Sequence, residues 1–292
     1  MELRVLRYFL TVAREENITR AARLLHLTQP TLSRQIMQLE DELGVKLFHR
    51  GRYSITLTEE GLLLKRRAQE LLSLSDKTMR ELSHRDDTLS GEICIGCGET
   101  RNMTLLAKQM ADFRRENPLV HFSIYSANAD DIKERMESGS LDMGLLMEPV
   151  DIGKYEFIRM PWKEKWGALL PRDSVPAQKN ALAPEDLLDL PLLLPRRDTV
   201  KDQLAGWFGE GFERLQVSAD YNLILNAAAM VREGMGAALC FDLGNVYEQL
   251  IFAPLSPPVE TGAVLAWKKN QILPRASSRF IQFFRNALQA LY

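Results

Sequence analysis

Apolar residues at the start of the chain recur with a helical period. Leu3, Leu6, Leu10 and Ala13 form one stripe, which Val5, Phe9 and Val12 widen into a core-facing surface. Asn17 ends that pattern. A shorter helix is predicted over about residues 19–25, where Ala21, Ala22, Leu24 and Leu25 suit close packing, and His26 and Leu27 fill a turn. Thr28 has the character of an N-cap, and Pro30 sits in the first turn of the next helix, where its missing N–H costs nothing. This third helix carries Leu32, Ile36, Leu39 and Leu43 on its buried side and is expected to stop at Gly44. Two short strands are expected around residues 46–48 and 54–58, with Gly51 and Arg52 in the hairpin. Thr58 then caps a helix running to about Leu82, whose positive end Glu59 and Glu60 complement. Leu64, Leu71, Leu72, Met79 and Leu82 fall near one side of it. A helix of that length after so small a head suits dimerisation; the alternative is a helix lying across its own domain.

From Glu92 onward the pattern becomes strand, helix, strand. ICIGC, VHFSIY and DMGLLM read as strands, separated by a helix with Leu106, Met110 and Phe113 and by another that ends at Gly139. LPLLLP, a helix through 225–231 and GAALCF continue the alternation. A last helix has Phe280, Ile281, Phe283, Phe284, Leu288 and Leu291 as its stripe. Such alternation predicts an α/β region with a mainly parallel sheet flanked by helices.

A chain of 292 residues suits two or three domains. Its net charge of -2 gives no global sign of a polyanion partner, but the charge is unevenly placed. Residues 18–58 carry a net +3 and residues 91–292 a net -4, which fits a confined anion-binding face on an acidic body. Three cysteines argue for a reducing compartment rather than a disulfide framework. The opening MELRVLRYFLTVAREEN lacks the apolar run of a signal peptide. No stretch approaches the roughly 20 apolar residues that span a bilayer. The expected location is cytoplasmic, without a membrane partner.

The segment ITRAARLLHLTQPTLSRQIM has the spacing of a helix-turn-helix. Its second helix presents Gln29, Thr31, Ser33, Arg34, Gln35 and Gln38 as polar side chains. In the major groove Arg can bridge two acceptors of guanine, and Gln can pair with adenine. On spacing alone, an ordinary three-helix core with a solvated polar face stays equally open.

The stretch AARLLHLTQPTLSRQIMQLEDELGVKLFHR, followed by LTEEG, resembles the amino-terminal signature of LysR-type transcriptional regulators. Matching positions run from Phe9 to Gly61 and include Ala21, Ala22, Gln29, Pro30, Ser33, Ile36, Leu39, Glu40, Leu43, Gly44, Leu47, Phe48, Arg50, Leu57 and Thr58. The likeness continues more loosely through the rest of the chain. It implies a winged helix-turn-helix at 1–58, a linker and dimerisation helix at 59–90, and a two-lobed periplasmic-binding-protein-like effector domain at 91–292. Lobe one is expected at 91–162 and 267–292, and lobe two at 163–266.

By this resemblance Gln29, Pro30, Ser33 and Arg34 fall where the family's recognition helix meets base edges, and Arg50 and Arg52 fall on the wing. Thr19 and Thr28 start their helices and are expected at phosphates. Thr31 replaces the small residue, usually alanine, common at that position. The implied partners are double-stranded DNA, a small-molecule effector, RNA polymerase and further copies of the chain, as a homodimer or homotetramer. No cofactor is implied. The effector is expected at strand ends and helix starts: Thr100, Arg101 and Asn102, then Ser126 and Asn128, Glu148 and Pro149, Arg197, Asp198 and Thr199, with Phe241 on the opposite wall. Arg101 beside a helix start would suit an anionic effector; the alternative is a solvated Arg101 paired with Glu99.

Three other function classes compete. Cys94 and Cys97 have the C-x-x-C spacing of a thiol sensor, yet on a strand they would point to opposite faces, and Cys240 reads as a buried small hydrophobe. For an enzyme, His26, His49, His84 and His121 lie too far apart in sequence for the close metal-ligand spacings. GCGETR has Arg101 where a dinucleotide fingerprint needs its third glycine. A solute-binding transport protein would leave residues 1–61 unexplained.

Overall fold

The computed structural model describes residues 1–51, 55–83, 88–244, 247 and 249–290. The chain divides into two compact units, 1–85 and 86–292. Arg52 and the start of the second expected strand lie outside the described residues, as does Leu291.

In the first unit, helices α1 (Leu3–Glu15), α2 (Ile18–Leu24) and α3 (Gln29–Leu43) pack around Leu6, Phe9, Val12, Ala21, Leu32, Ile36 and Leu39, all essentially inaccessible. Asn17, which ends the first apolar stripe, caps α2 by accepting the Arg20 N–H at 2.9 Å. Helix α2 therefore begins at Ile18, one residue before Thr19. Gly44 closes α3 at φ +70°, where a side chain would strain the backbone.

Strands β1 (Phe48–Arg50) and β2 (Ile55–Leu57) form the antiparallel wing, with Phe48 opposite Leu57. The first strand thus starts two residues later than expected. The cause is Glu40, a buried carboxylate on α3 that accepts the N–H of Leu47 at 2.9 Å and of Phe48 at 3.3 Å. The Leu47 amide thus serves α3 just before the ladder begins at Phe48, and Glu40 fixes the wing to the third helix.

Helix α4 (Glu59–Ser83) is capped by Thr58, whose hydroxyl accepts the Gly61 N–H at 2.9 Å and donates to the Lys46 carbonyl at 2.7 Å. Its faces divide. Ala68 and Leu72 are buried in the head and Leu64 is half-buried, while Leu62, Leu63, Leu71, Leu74 and Met79 are exposed. Leu71 and Met79 therefore do not share the buried side, and the Leu82 side chain lies outside the description. The helix lies across its own domain and also keeps an unpartnered apolar face. A Cβ on Gly61 would sit 2.2 Å from the Leu47 carbonyl oxygen. Gly61→Ala should therefore destabilise the head by about 1–3 kcal/mol, read as a lowered melting temperature; unchanged melting would contradict this close approach.

The second unit has two α/β lobes. The first contains β3 (Gly91–Cys97), α5 (Asn102–Glu116), β4 (Val120–Ser126), α6 (Ala129–Glu137), β5 (Met143–Met147) and β6 (Tyr155–Arg159). The second contains β7 (Glu164–Pro171), β8 (Pro191–Pro195), α7 (Asp198–Phe208), β9 (Gln216–Tyr221), α8 (Ile224–Arg232), β10 (Ala237–Phe241), β11 (Leu250–Pro254) and β12 (Glu260–Thr261). The chain then returns through β13 (Ala263–Lys268) and α9 (Arg275–Gln289) to the first lobe.

The sheet orders are β4-β3-β5-β13-β6 and β11-β7-β10-β8-β9, with β12 beside β7. Both sheets are mixed rather than mainly parallel. The chain crosses twice between lobes, and the returning strands β13 and β7 pair antiparallel with their neighbours. Because β13 pairs within the first sheet from Ala263, the chain re-enters lobe one before residue 267. The first lobe's core is aromatic: Phe280 meets Phe113 edge-on at 5.3 Å and Phe122 at 5.0 Å. No described helix is long and apolar enough to cross a membrane.

Candidate nucleic-acid interface and effector cleft

Helix α3 is a rod with one face in the core and one in solvent. Leu32, Ile36 and Leu39 are buried, whereas Gln29, Pro30, Thr31, Arg34 and Gln38 are exposed and Ser33 and Gln35 half-buried. Among the described residues Arg34 has no ion-pair or hydrogen-bond partner, so its guanidinium is available to a ligand. Thr28 caps the rod, accepting the Thr31 N–H at 3.4 Å, and its hydroxyl lies 2.8 Å from that of Thr31. Both hydroxyls are thus partly engaged within the helix start. Thr19 is exposed on α2. Arg50 ends β1, although its side chain, like the whole of Arg52, lies outside the description.

Between the two lobes of the second unit lies a cleft of about 800 Å³, open space at its mouth included. Its walls are strand ends: Gly98 and Glu99 after β3, Ala127–Ala129 after β4, Leu145 and Met147 on β5 with Glu148 just after it, Pro195–Arg197 at the end of β8, and Tyr221–Ile224 at the end of β9. Trp166, Val200, Cys240 and Phe241 complete it, with Phe241 packed on Trp166 at 4.3 Å. Of the expected effector residues, Asn128, Glu148, Arg197 and Phe241 line this cleft. Thr100, Arg101, Asn102, Ser126, Pro149, Asp198 and Thr199 do not.

Glu164, fully buried at the start of β7, explains the largest of these departures. Its carboxylate accepts from the Thr100 hydroxyl, the Arg101 N–H at 3.2 Å, the Asn102 N–H at 3.3 Å and the Asn102 side-chain amide at 2.7 Å. The α5 start, expected to hold an effector anion, already holds an anion from the other lobe. Arg101 pairs with Asp242 at 3.9 Å, not with Glu99. Pro149 contributes its carbonyl to Arg197 at 3.4 Å, while Ser126, Asp198 and Thr199 face solvent.

The polar residues that do line the cleft are largely committed. The Asn128 side chain caps α6, accepting the Asp130 and Asp131 N–H groups at 2.9 and 3.0 Å. Glu148 pairs with Arg159 at 2.9 Å, and Arg197 bridges the lobes to Asp130 at 3.1 Å. Glu99, offered by the sequence only as a partner for Arg101, accepts the Ile224 N–H at the α8 start. Burial pushes its carboxyl above the ordinary 4.5, and the backbone N–H groups of Ile224 and Leu225 pull it part of the way back.

The cysteines stand against thiol sensing. Cys97 packs in the core on one face of β3 and Cys94 on the other, as expected of residues three apart on a strand. Burial pushes the Cys97 and Cys240 thiols up to about 12, far from the thiolate form that reacts.

Comparison with known proteins gives this architecture its context. Residues 3–62 match the bacterial regulatory helix-turn-helix model of the lysR family, and residues 86–289 match the LysR substrate binding domain. The regulator YybE of Bacillus subtilis is 27% identical over 97% of this chain and 98% of its own. The transcriptional activator IlvY of Salmonella typhimurium is 30% identical over 82% of each chain. Among solved structures, CbnR superposes with a TM-score of 0.77 at 22% identity, covering 98% of this chain and 99% of that one. HinK of Pseudomonas aeruginosa gives 0.56 at 26%, covering 100% and 99%. The chain belongs to the LysR family of helix-turn-helix transcriptional regulators, with an amino-terminal DNA-binding domain and a two-lobed effector-binding domain.

Proposed function

We propose that the chain reads duplex DNA by laying α3 in the major groove, with Gln29, Pro30, Thr31, Ser33, Arg34 and Gln38 towards the bases. Thr19, Thr28, Arg50 and Arg52 lie towards the backbone or the adjacent minor groove. The exposed polar face of a capped helix, carrying an unpartnered Arg34, supports this reading most directly. CbnR, a neighbour in fold, has been solved with its target DNA. The chain works as a homodimer or homotetramer in the cytoplasm, without enzymatic activity. Its two heads meet half-sites about one helical turn apart and act on RNA polymerase from there. A small molecule in the interlobe cleft shifts the arrangement of protomers, which requires different affinities for the two arrangements.

Arg34→Ala should weaken binding to a selected site by about 1–3 kcal/mol and relax preference at one base pair. Binding curves on selected and random duplexes test this; an equal loss on both would make Arg34 a phosphate contact.

A further inference from the structure

Two charged side chains in the cleft wall remain uncommitted to any counter-ion among the described residues, Glu99 and Arg196. The other two, Glu148 and Arg197, are paired outside it. Around them the wall is apolar, with Leu145, Met147, Trp166, Val200 and Phe241. A carboxylate offers about four lone-pair sites. The α8 amides engage Glu99 from lobe two, through Ile224 and Leu225, which leaves acceptor capacity for a ligand in the cleft that Glu99 lines. The raised pKa has the same origin: this charge is poorly solvated, and its partners are neutral amides. A ligand carboxylate placed there would meet like charge in an apolar setting. A protonated amine would meet its complement in a charge-assisted hydrogen bond.

Resting on the reading of the cleft as the effector site, we propose that the ligand carries a protonated amine docked on Glu99, with an apolar body held between the lobes. A carboxylate on the same ligand would be met by Arg196, which follows β8 and is exposed. Apolar amino acids carry both charges.

Calorimetry on the full chain tests the assignment with two sets of probes. Leucine, 3-methylbutylamine and 4-methylpentanoate share one skeleton; phenylalanine, 2-phenylethylamine and 3-phenylpropanoate share another. In at least one set the amino acid and the amine should bind at least tenfold more tightly than the acid. Glu99→Gln, whose side-chain oxygen still accepts the Ile224 N–H, should weaken both by at least tenfold while leaving the melting temperature near that of the parent. Acids binding as well as amines, indifference to Glu99→Gln, or no binding by any amine-bearing probe would each overturn the proposal. Asn222→Trp, at an exposed position of the cleft wall, separates the two levels of the inference. Binding untouched by Asn222→Trp would place the ligand outside the cleft and defeat the site itself. An acid that binds the parent and is lost in Asn222→Trp would keep the site and defeat only the amine.

Discussion

Glu164→Ala is expected to destabilise the effector unit by about 3 kcal/mol, since a buried donor left without its acceptor costs about 1–3 kcal/mol. Glu164 satisfies the Thr100 hydroxyl, two backbone N–H groups and the Asn102 side-chain amide, all at the start of α5. The penalty is smaller than four separate losses because water can enter the space the side chain vacates. At roughly 2–4 °C per kcal/mol for a unit of this size, the melting temperature should fall by about 6–12 °C. Glu164→Gln keeps one accepting oxygen and should lose about a third as much. Because Glu164 lies in the second lobe's sheet and α5 in the first lobe, the same change also removes a tie between lobes. Loss of less than about 1 kcal/mol for the alanine variant would mean the α5 start finds other partners readily.

The second large effect concerns α4. Leu63 and Leu74 are 53% and 41% exposed, and eleven positions at 100° each bring them within about 20° of one helical line. Leu71, also exposed, widens the line. Solvent is a costly neighbour for such a stripe, and a second copy of the helix is the occupant that the proposed dimer supplies. Leu63→Glu with Leu74→Glu should therefore yield a monomer in sedimentation, with a head that still melts normally because neither side chain is in its core. Binding to a two-half-site duplex should fall by about 100-fold or more, as linked engagement of the second head is lost. A persistent dimer with unchanged affinity would place the dimer contact elsewhere.

Local chemistry made the head legible. Thr28, Pro30 and Gly44 act within a few residues of themselves, so the bounds of α3 follow from them, and burial of Leu32, Ile36 and Leu39 follows from period alone. The wing register was less legible because Glu40 reaches seven and eight residues ahead to take the first amides. In the effector unit, the rule that ligands sit at strand ends reached Asn128, Glu148, Arg197 and Phe241. It did not point to Glu99, which lines the cleft, and it pointed to Thr100, Arg101 and Asn102, which do not, for one reason. Glu164 lies more than sixty residues from the helix start it fills, and Glu99 lies 125 from Ile224. No sequence pattern announces that an acidic side chain from one lobe will occupy a helix start in the other.

The solvent face of α3 is the surface proposed to meet DNA. Hydroxyl-radical footprinting of side chains, with and without a duplex selected from a random pool, tests it directly. Protection concentrated on Gln29, Pro30, Arg34 and Gln38, with the effector unit unchanged in the absence of ligand, is the predicted result. Full affinity for the duplex with those four positions as reactive as in the free protein would contradict it.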